Sequence, residues 1–155
     1  MKIREIPKDK DLFLPLLLQA DPSEEKIVKY LRTGRLLAGF RHGQPVCCAV
    51  LGRAAAGGTE IRNLAVVPHC RHQGLGGQML RHIWRHYTAS GLLTVRTGSP
   101  GTGEPPFYQE LFYCKHGFTL YRREKGYFLR HYPQAIYEDD SRRVVDRISL
   151  RRTRL

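Results

Sequence analysis

A mixed α/β fold built on one sheet is what the 155-residue sequence predicts. Three observations carry this. Short apolar runs bounded by glycine and proline read as strands, two stretches have helical apolar spacing, and one of those helices lies between two strands. The expected architecture is a single domain over residues 1–155, with a mixed central sheet of about six to seven strands flanked by helices. A chain this long buries ~68–70% of its unfolded surface and needs no staples. Hydrophobic residues at 41% and charged residues at 26% exclude wholesale disorder.

The elements follow in order. Residues 1–6 read as a short strand. Residues 8–20 carry a dense apolar patch (Leu12, Phe13, Leu14, Leu16, Leu17, Leu18) that reads as a buried helix. Asp21-Pro22-Ser23 looks like a second helix start, with Pro at the first helical position and Glu24 and Glu25 suiting the dipole. That helix should end before Gly34. Residues 35–41 and 45–51 form a hairpin across His42-Gly43-Gln44-Pro45. A third strand over 60–67 stops at Pro68. Residues 74–90 are helical, with Leu75, Met79, Ile83 and Tyr87 on one face and Gly91 as C-cap. Residues 92–97 make a strand, and the 60–97 unit implies a parallel pair with a right-handed crossover. A Gly/Pro loop, a short helix over 106–116, one or two strands over 118–132 and a last strand over 144–150 complete the chain.

Lys and Arg total 26 against 14 Asp and Glu, a net charge of +12. Such a balance suits an anionic partner: nucleic acid, an acidic lipid surface or a phosphorylated small molecule. Six arginines lie between Arg142 and Arg154, opposed there only by Asp146, and read as a solvated strand or tail. The four cysteines, Cys47, Cys48, Cys70 and Cys114, form no CxxC, which removes zinc-ribbon and thioredoxin-type sites. His82 and His86 are spaced i, i+4, but Ile83 stands where a metalloprotease helix needs glutamate, so no metal site is expected. No signal peptide or membrane-spanning run is visible, and the expected setting is a reduced cytoplasm.

The most informative segment runs from Asn63 to Leu80. A strand ends, a short turn follows, and Gly74, Gly76 and Gly77 open a helix. The first amides of a helix have no intrahelical partner, the dipole adds partial positive charge, and glycine lets an anion come close. The product is a phosphate cradle. A P-loop is excluded because Gln78 and Met79 follow Gly77, and a dinucleotide fingerprint because Met79 occupies its third glycine position.

The pattern that does fit is Arg71-x-x-Gly74-x-Gly76, which resembles the acetyl-CoA-binding motif of the GNAT superfamily of N-acetyltransferases, Q/R-x-x-G-x-G/A. The later run from Phe112 to Phe118 resembles the family's Y-x-x-x-G-F segment, and residues 133–140 are similar to those of small bacterial members. The resemblance implies acetyl-CoA as cofactor, coenzyme A as product, and a small-molecule or peptide amine as acceptor. It also implies a cofactor site. Arg71, His72, Gln73, Gly74, Leu75, Gly76 and Gly77 would hold the pyrophosphate, and Leu64, Ala65, Val66 and Val67 would run beside the pantetheine arm. A splay or bulge in that strand is expected to free its backbone groups.

Catalytic roles follow from the same likeness. On a helical wheel Phe107, Tyr108, Leu111, Phe112 and Cys114 cluster on one side, with Tyr113 roughly opposite. The family places the matching tyrosine at the cofactor sulfur, making Tyr113 the candidate general acid. Some members carry a strand glutamate like Glu60, here expected to be a half-buried general base; His69, His72, His116 and Glu110 are rivals. Ser99 stands where relatives have a cofactor-contacting asparagine. Beyond the sequence-near His69, His72 and His116, Cys70 and Cys114 have no visible activating base beside them, which favours direct transfer. Two rival readings are a basic nucleic-acid-binding module, which leaves the glycine turn unexplained, and a non-catalytic acyl-CoA sensor. The family's habit of pairing through C-terminal strands makes a homodimer a further partner the likeness implies.

Overall fold

The computed structural model describes residues 1–154. Its seven strands follow the order β1-β2-β3-β4-β5-β7-β6 in one mixed sheet flanked by helices, as the sequence predicts. Residues 1–93 and the chain from Thr94 onward each form a compact unit.

The first unit is an antiparallel ladder of β1 (Lys2–Ile6), β2 (Arg35–Arg41), β3 (Gln44–Arg53) and β4 (Thr59–Val66). β2 and β3 turn at His42 and Gly43, both left-handed at φ 50° and 74°, the backbone that matches hairpin twist. Alternate residues of the ladder (Ile6, Leu36, Ala38, Cys48, Val50, Ala65) face a core closed by Leu17, Ile27 and Leu31. Those last three come from α1 (Leu14–Leu17) and α2 (Glu24–Thr33). The other helix of the unit, α3 (Leu75–His86), packs on β3 and β4.

Residues 8–20 are not one buried helix. A 3-10 turn (Lys10–Phe13) leads into the single turn of α1, Pro15 sits in that first turn, and only Leu17 is buried while Leu12 is exposed. An apolar run this dense covers every direction of a helix, so one face cannot take it all. Pro22 also lies two positions before the first helical residue rather than at it. Ser23 is the N-cap of α2, its hydroxyl accepting the Lys26 amide at 3.2 Å. Asp21 braces the entry, its Oδ1 accepting the Ser23 amide at 3.0 Å. α3 ends at His86 rather than near Ser90. Gly91 instead closes a separate turn at φ 75°, its amide donating to the Thr88 carbonyl.

The second unit carries most of β5 (Leu92–Ser99), then α4 (Tyr108–Lys115), β6 (Thr119–Glu124), α5 (Tyr127–His131) and β7 (Asp146–Thr153). β6 pairs antiparallel with β7. Residues 118–132 were expected to form one or two strands, but after one strand the chain turns helical at Gly126 (φ 68°). The reason is the buried carboxylate of Asp146. Its Oδ1 accepts the Gly126 amide at 2.8 Å, and its Oδ2 accepts from Arg123 Nη1 at 2.8 Å. Three segments are thereby fastened to one acid.

Candidate active site

β4 brings the strand and turn residues together. The register steps between Val50 and Leu51 of β3: Val50 faces Asn63, Leu51 faces Ile61, and Arg62 is the extra residue. This is the expected bulge, but it precedes residues 64–67 rather than lying within them. Downstream of it Asn63 and Ala65 are buried, and Leu64, Val66 and Val67 are half-buried.

After Val67 a 3-10 turn (Pro68–Cys70) leads into the glycine turn. His72 is left-handed at φ 62° and Gly74 at φ 80°, where a side chain on a β-branched residue would be strained. A Cβ placed on Gly74 would meet nothing within 4 Å, so the turn opens outward there. The first intrahelical bond of α3 runs from the Gln78 amide to the Gly74 carbonyl at 3.0 Å. The amides of Leu75, Gly76 and Gly77 precede it, and they and the dipole of a 12-residue helix point at one spot. An anionic diphosphate fits this arrangement, because main-chain N–H groups and an uncrowded glycine are what it needs.

Arg71 turns back on the strand. Its Nε donates to the Val66 carbonyl at 3.4 Å and its Nη2 to Gln19 at 3.5 Å, so it fastens the turn to the end of β4. Gln73 holds the other side, accepting from Arg41 Nη1 at 2.7 Å and donating to the His69 carbonyl at 3.4 Å. Arg41 brings a second cation to the turn from the far end of β2. Nothing in its local sequence signals this.

Glu60 is buried, not half-buried, at 8% exposure. Its Oε1 lies 3.0 Å from Arg62 Nε, so this carboxylate is one half of an ion pair. Arg62 also donates from Nη2 to the Arg53 carbonyl at 3.0 Å. Its guanidinium can lie there only because position 52 is glycine: a Cβ would come within 2.7 Å of Nε. Gly52 inside a strand was a readable sign of such a close approach. Beside this pair Asn63 Nδ2 donates to the Leu17 carbonyl at 3.0 Å and to the Tyr30 hydroxyl at 2.9 Å. The Tyr30 hydroxyl in turn lies 3.1 Å from Asp21 Oδ2.

In the second unit the wheel argument is inverted. Tyr113 is the buried residue of α4 at 6% exposure, while Tyr108 and Leu111 of the apolar stripe are 60% and 56% exposed. Its ring meets Phe112 and Phe118 edge-on, with centroids 5.2 and 5.3 Å apart. A helix of eight residues has no room for a broad stripe, and Phe118, just beyond Gly117 (φ 90°), decides which ring turns inward. Ser99 ends β5 rather than opening a loop. Its buried hydroxyl accepts from Arg123 at 3.0 Å and from the Gly101 amide at 3.4 Å.

A strand, a glycine turn and a helix N-terminus in this order define an α/β protein whose main chain is arranged to suit an anionic group. Residues 32–120 match the sequence model described as an acetyltransferase (GNAT) domain. The chain is 30% identical over 129 residues to the uncharacterised N-acetyltransferase YvbK of Bacillus subtilis, covering 83% of this chain and 81% of that one. Two solved structures share the fold along almost the whole length. A GNAT family acetyltransferase from Elizabethkingia anophelis with acetyl-CoA bound has a TM-score of 0.84 and 31% identity, covering 99% of this chain and 97% of that one. An IAA acetyltransferase from Bacillus cereus has a TM-score of 0.85 and 31% identity, covering 99% of each. The chain belongs to the GNAT acetyltransferase family and is an acyltransferase. The expectation of acetyl-CoA as acyl donor agrees with the molecule bound to the Elizabethkingia protein.

Proposed function

We propose that the chain, working as one domain, is an acetyl-CoA-dependent N-acetyltransferase that moves an acetyl group directly to a primary amine on a small molecule or peptide. The observation that carries this is the set of amides at Leu75, Gly76 and Gly77 ahead of the first α3 hydrogen bond, on a turn tied down by Arg71 and Gln73. Acetyl-CoA supplies an acyl group activated as a thioester. The chain's residues hold it and move protons. The 71–77 turn binds the diphosphate, and Leu64 to Val67 offer an extended backbone to the carrier's amide-bearing arm. Glu60 takes a proton from the acceptor ammonium, directly or through water, and Tyr113 gives one to the departing sulfur.

Direct transfer is supported by the state of the thiols, since the thiolate is the nucleophilic form. Burial pushes Cys47 up to about 12 and raises Cys48 further, with Cys47 beside it adding to the effect. Partial burial and then Glu110 raise Cys114. Among the described residues no helix is long and apolar enough to cross a membrane.

Calorimetric titration with acetyl-CoA tests the reading, with ADP and a short DNA duplex as controls at physiological salt. Micromolar binding of acetyl-CoA, with a fold stabilised by ~2.7 kcal/mol at 100 times its Kd, is the expected result. No acetyl-CoA binding together with salt-sensitive DNA binding would overturn it.

A further inference from the structure

A cavity of ≈ 430 Å³ opens between α2 and the β3–β4 ladder, lined by Lys29, Tyr30, Thr33, Gly52, Arg53 and Arg62. Half of its lining is cationic. Two of the three charges have acidic partners. Lys29 lies 3.5 Å from Glu25 on the exposed face of α2, and Arg62 pairs with Glu60. Arg53 is in no ion pair among the described residues. The cavity therefore has a surplus positive charge.

Its central guanidinium is built in rather than left to drift. The bulge supplies Arg62 as an extra residue, Gly52 clears the space it occupies, and both Glu60 and the Arg53 carbonyl hold it. Holding the group in advance removes the ordering cost an anion would otherwise face on binding. Tyr30 forms a fixed wall, since its hydroxyl is engaged by Asn63.

We infer that this cavity receives an anionic group on the acceptor, so that the amine acetylated here also carries a carboxylate or a phosphate. The inference rests on the proposed role of Glu60. Arg62 touches that carboxylate on one side and lines the cavity on the other. Arg62 Nε lies 3.0 Å from Glu60 Oε1, so an anion at one and an amine at the other need only a few bonds between them. A polycationic acceptor meets like charge in the cavity and is disfavoured. The class selected is a short zwitterionic or phosphorylated amine.

Paired amines that differ in the anion test this. The pairs are 4-aminobutyrate against butylamine and O-phosphoethanolamine against ethanolamine, with spermidine as the polycation. Binding to the full chain is followed by calorimetry or ligand-observed NMR at millimolar ligand, alone and with saturating coenzyme A. The anionic member of each pair is expected to bind about tenfold or more tightly, a preference that falls as salt rises. Arg53→Ala, at an exposed position, should remove most of that preference, and Arg53→Lys should restore part of it. Equal or tighter binding of butylamine or spermidine, or a preference untouched by Arg53→Ala, overturns the inference even if acetyl-CoA binds. Failure of acetyl-CoA to bind would instead overturn the acetyltransferase reading, because the amine preference is read without it.

Discussion

On the proposed function, the glycine turn at 71–77 and helix α4 would each present groups for chemistry, by different means. The turn presents main-chain amides, aimed by the start of α3 and by two left-handed residues. Its side chains mostly fasten it in place. Helix α4 holds the phenol of Tyr113, whose direction is set by the rings packed against it. The turn should therefore fail when its backbone conformation is denied. The helix should fail when a single atom or its packing support is removed.

The largest effect is expected where the second unit depends on one side chain. Asp146→Ala removes the acid that holds Arg123 and the Gly126 amide, leaving a part-buried cation and an amide without their partner. A loss of about 3–5 kcal/mol is expected, measured by urea unfolding. If the loss is below about 1 kcal/mol, this unit does not lean on the pair as described. Next comes the turn. Gly74→Val forces a β-branched residue to φ 80° and crowds the approach of an anion, so acetyl-CoA binding should weaken by about tenfold or more in calorimetry. Unweakened binding would break the claim that the backbone forms this site.

Tyr113→Phe keeps the ring packing and removes only the hydroxyl. Turnover should fall by about tenfold while acetyl-CoA affinity and melting temperature hold. Equal loss of affinity and stability would make Tyr113 a core residue alone. Glu60→Gln should change the pH–rate profile; an unchanged profile returns the base role to His69, His72, His116 or Glu110. The smallest effect belongs to the first unit's helix cap. Ser23→Ala should cost about 1 kcal/mol, seen as a drop of a few degrees in melting temperature.

Strand positions and the glycine turn were legible because periodicity and glycine placement act locally. The hairpin at His42-Gly43 and the start of α3 needed no long-range knowledge. Helix α4 was misread because eight residues do not fix a face; Phe118, outside the helix, does. The stretch after Glu124 was misread for a similar reason, since its turn into α5 is imposed by Asp146, 20 residues further on. Glu60 was placed on the right strand, but its partner Arg62 joins it through a bulge that alternation cannot show. The tie between Arg41 and Gln73 spans 32 residues and left no local trace.

The bulge in β4 also bears on how the gene could be edited. Ile61 already faces Leu51 and Asn63 already faces Val50, so the ladder on either side of Arg62 is in step without it. Loss of the codon for residue 62 would let the two halves join as a regular strand, with every other side chain of β4 keeping its face. A deletion at Leu64 or Ala65 would instead turn over all that lies on one side of it. Residue 62 is thus a seam in the strand. A shortened chain lacking it would keep the sheet and the glycine turn but lose the guanidinium beside Glu60, so the proposed anion pocket could be removed while the proposed carrier turn stays.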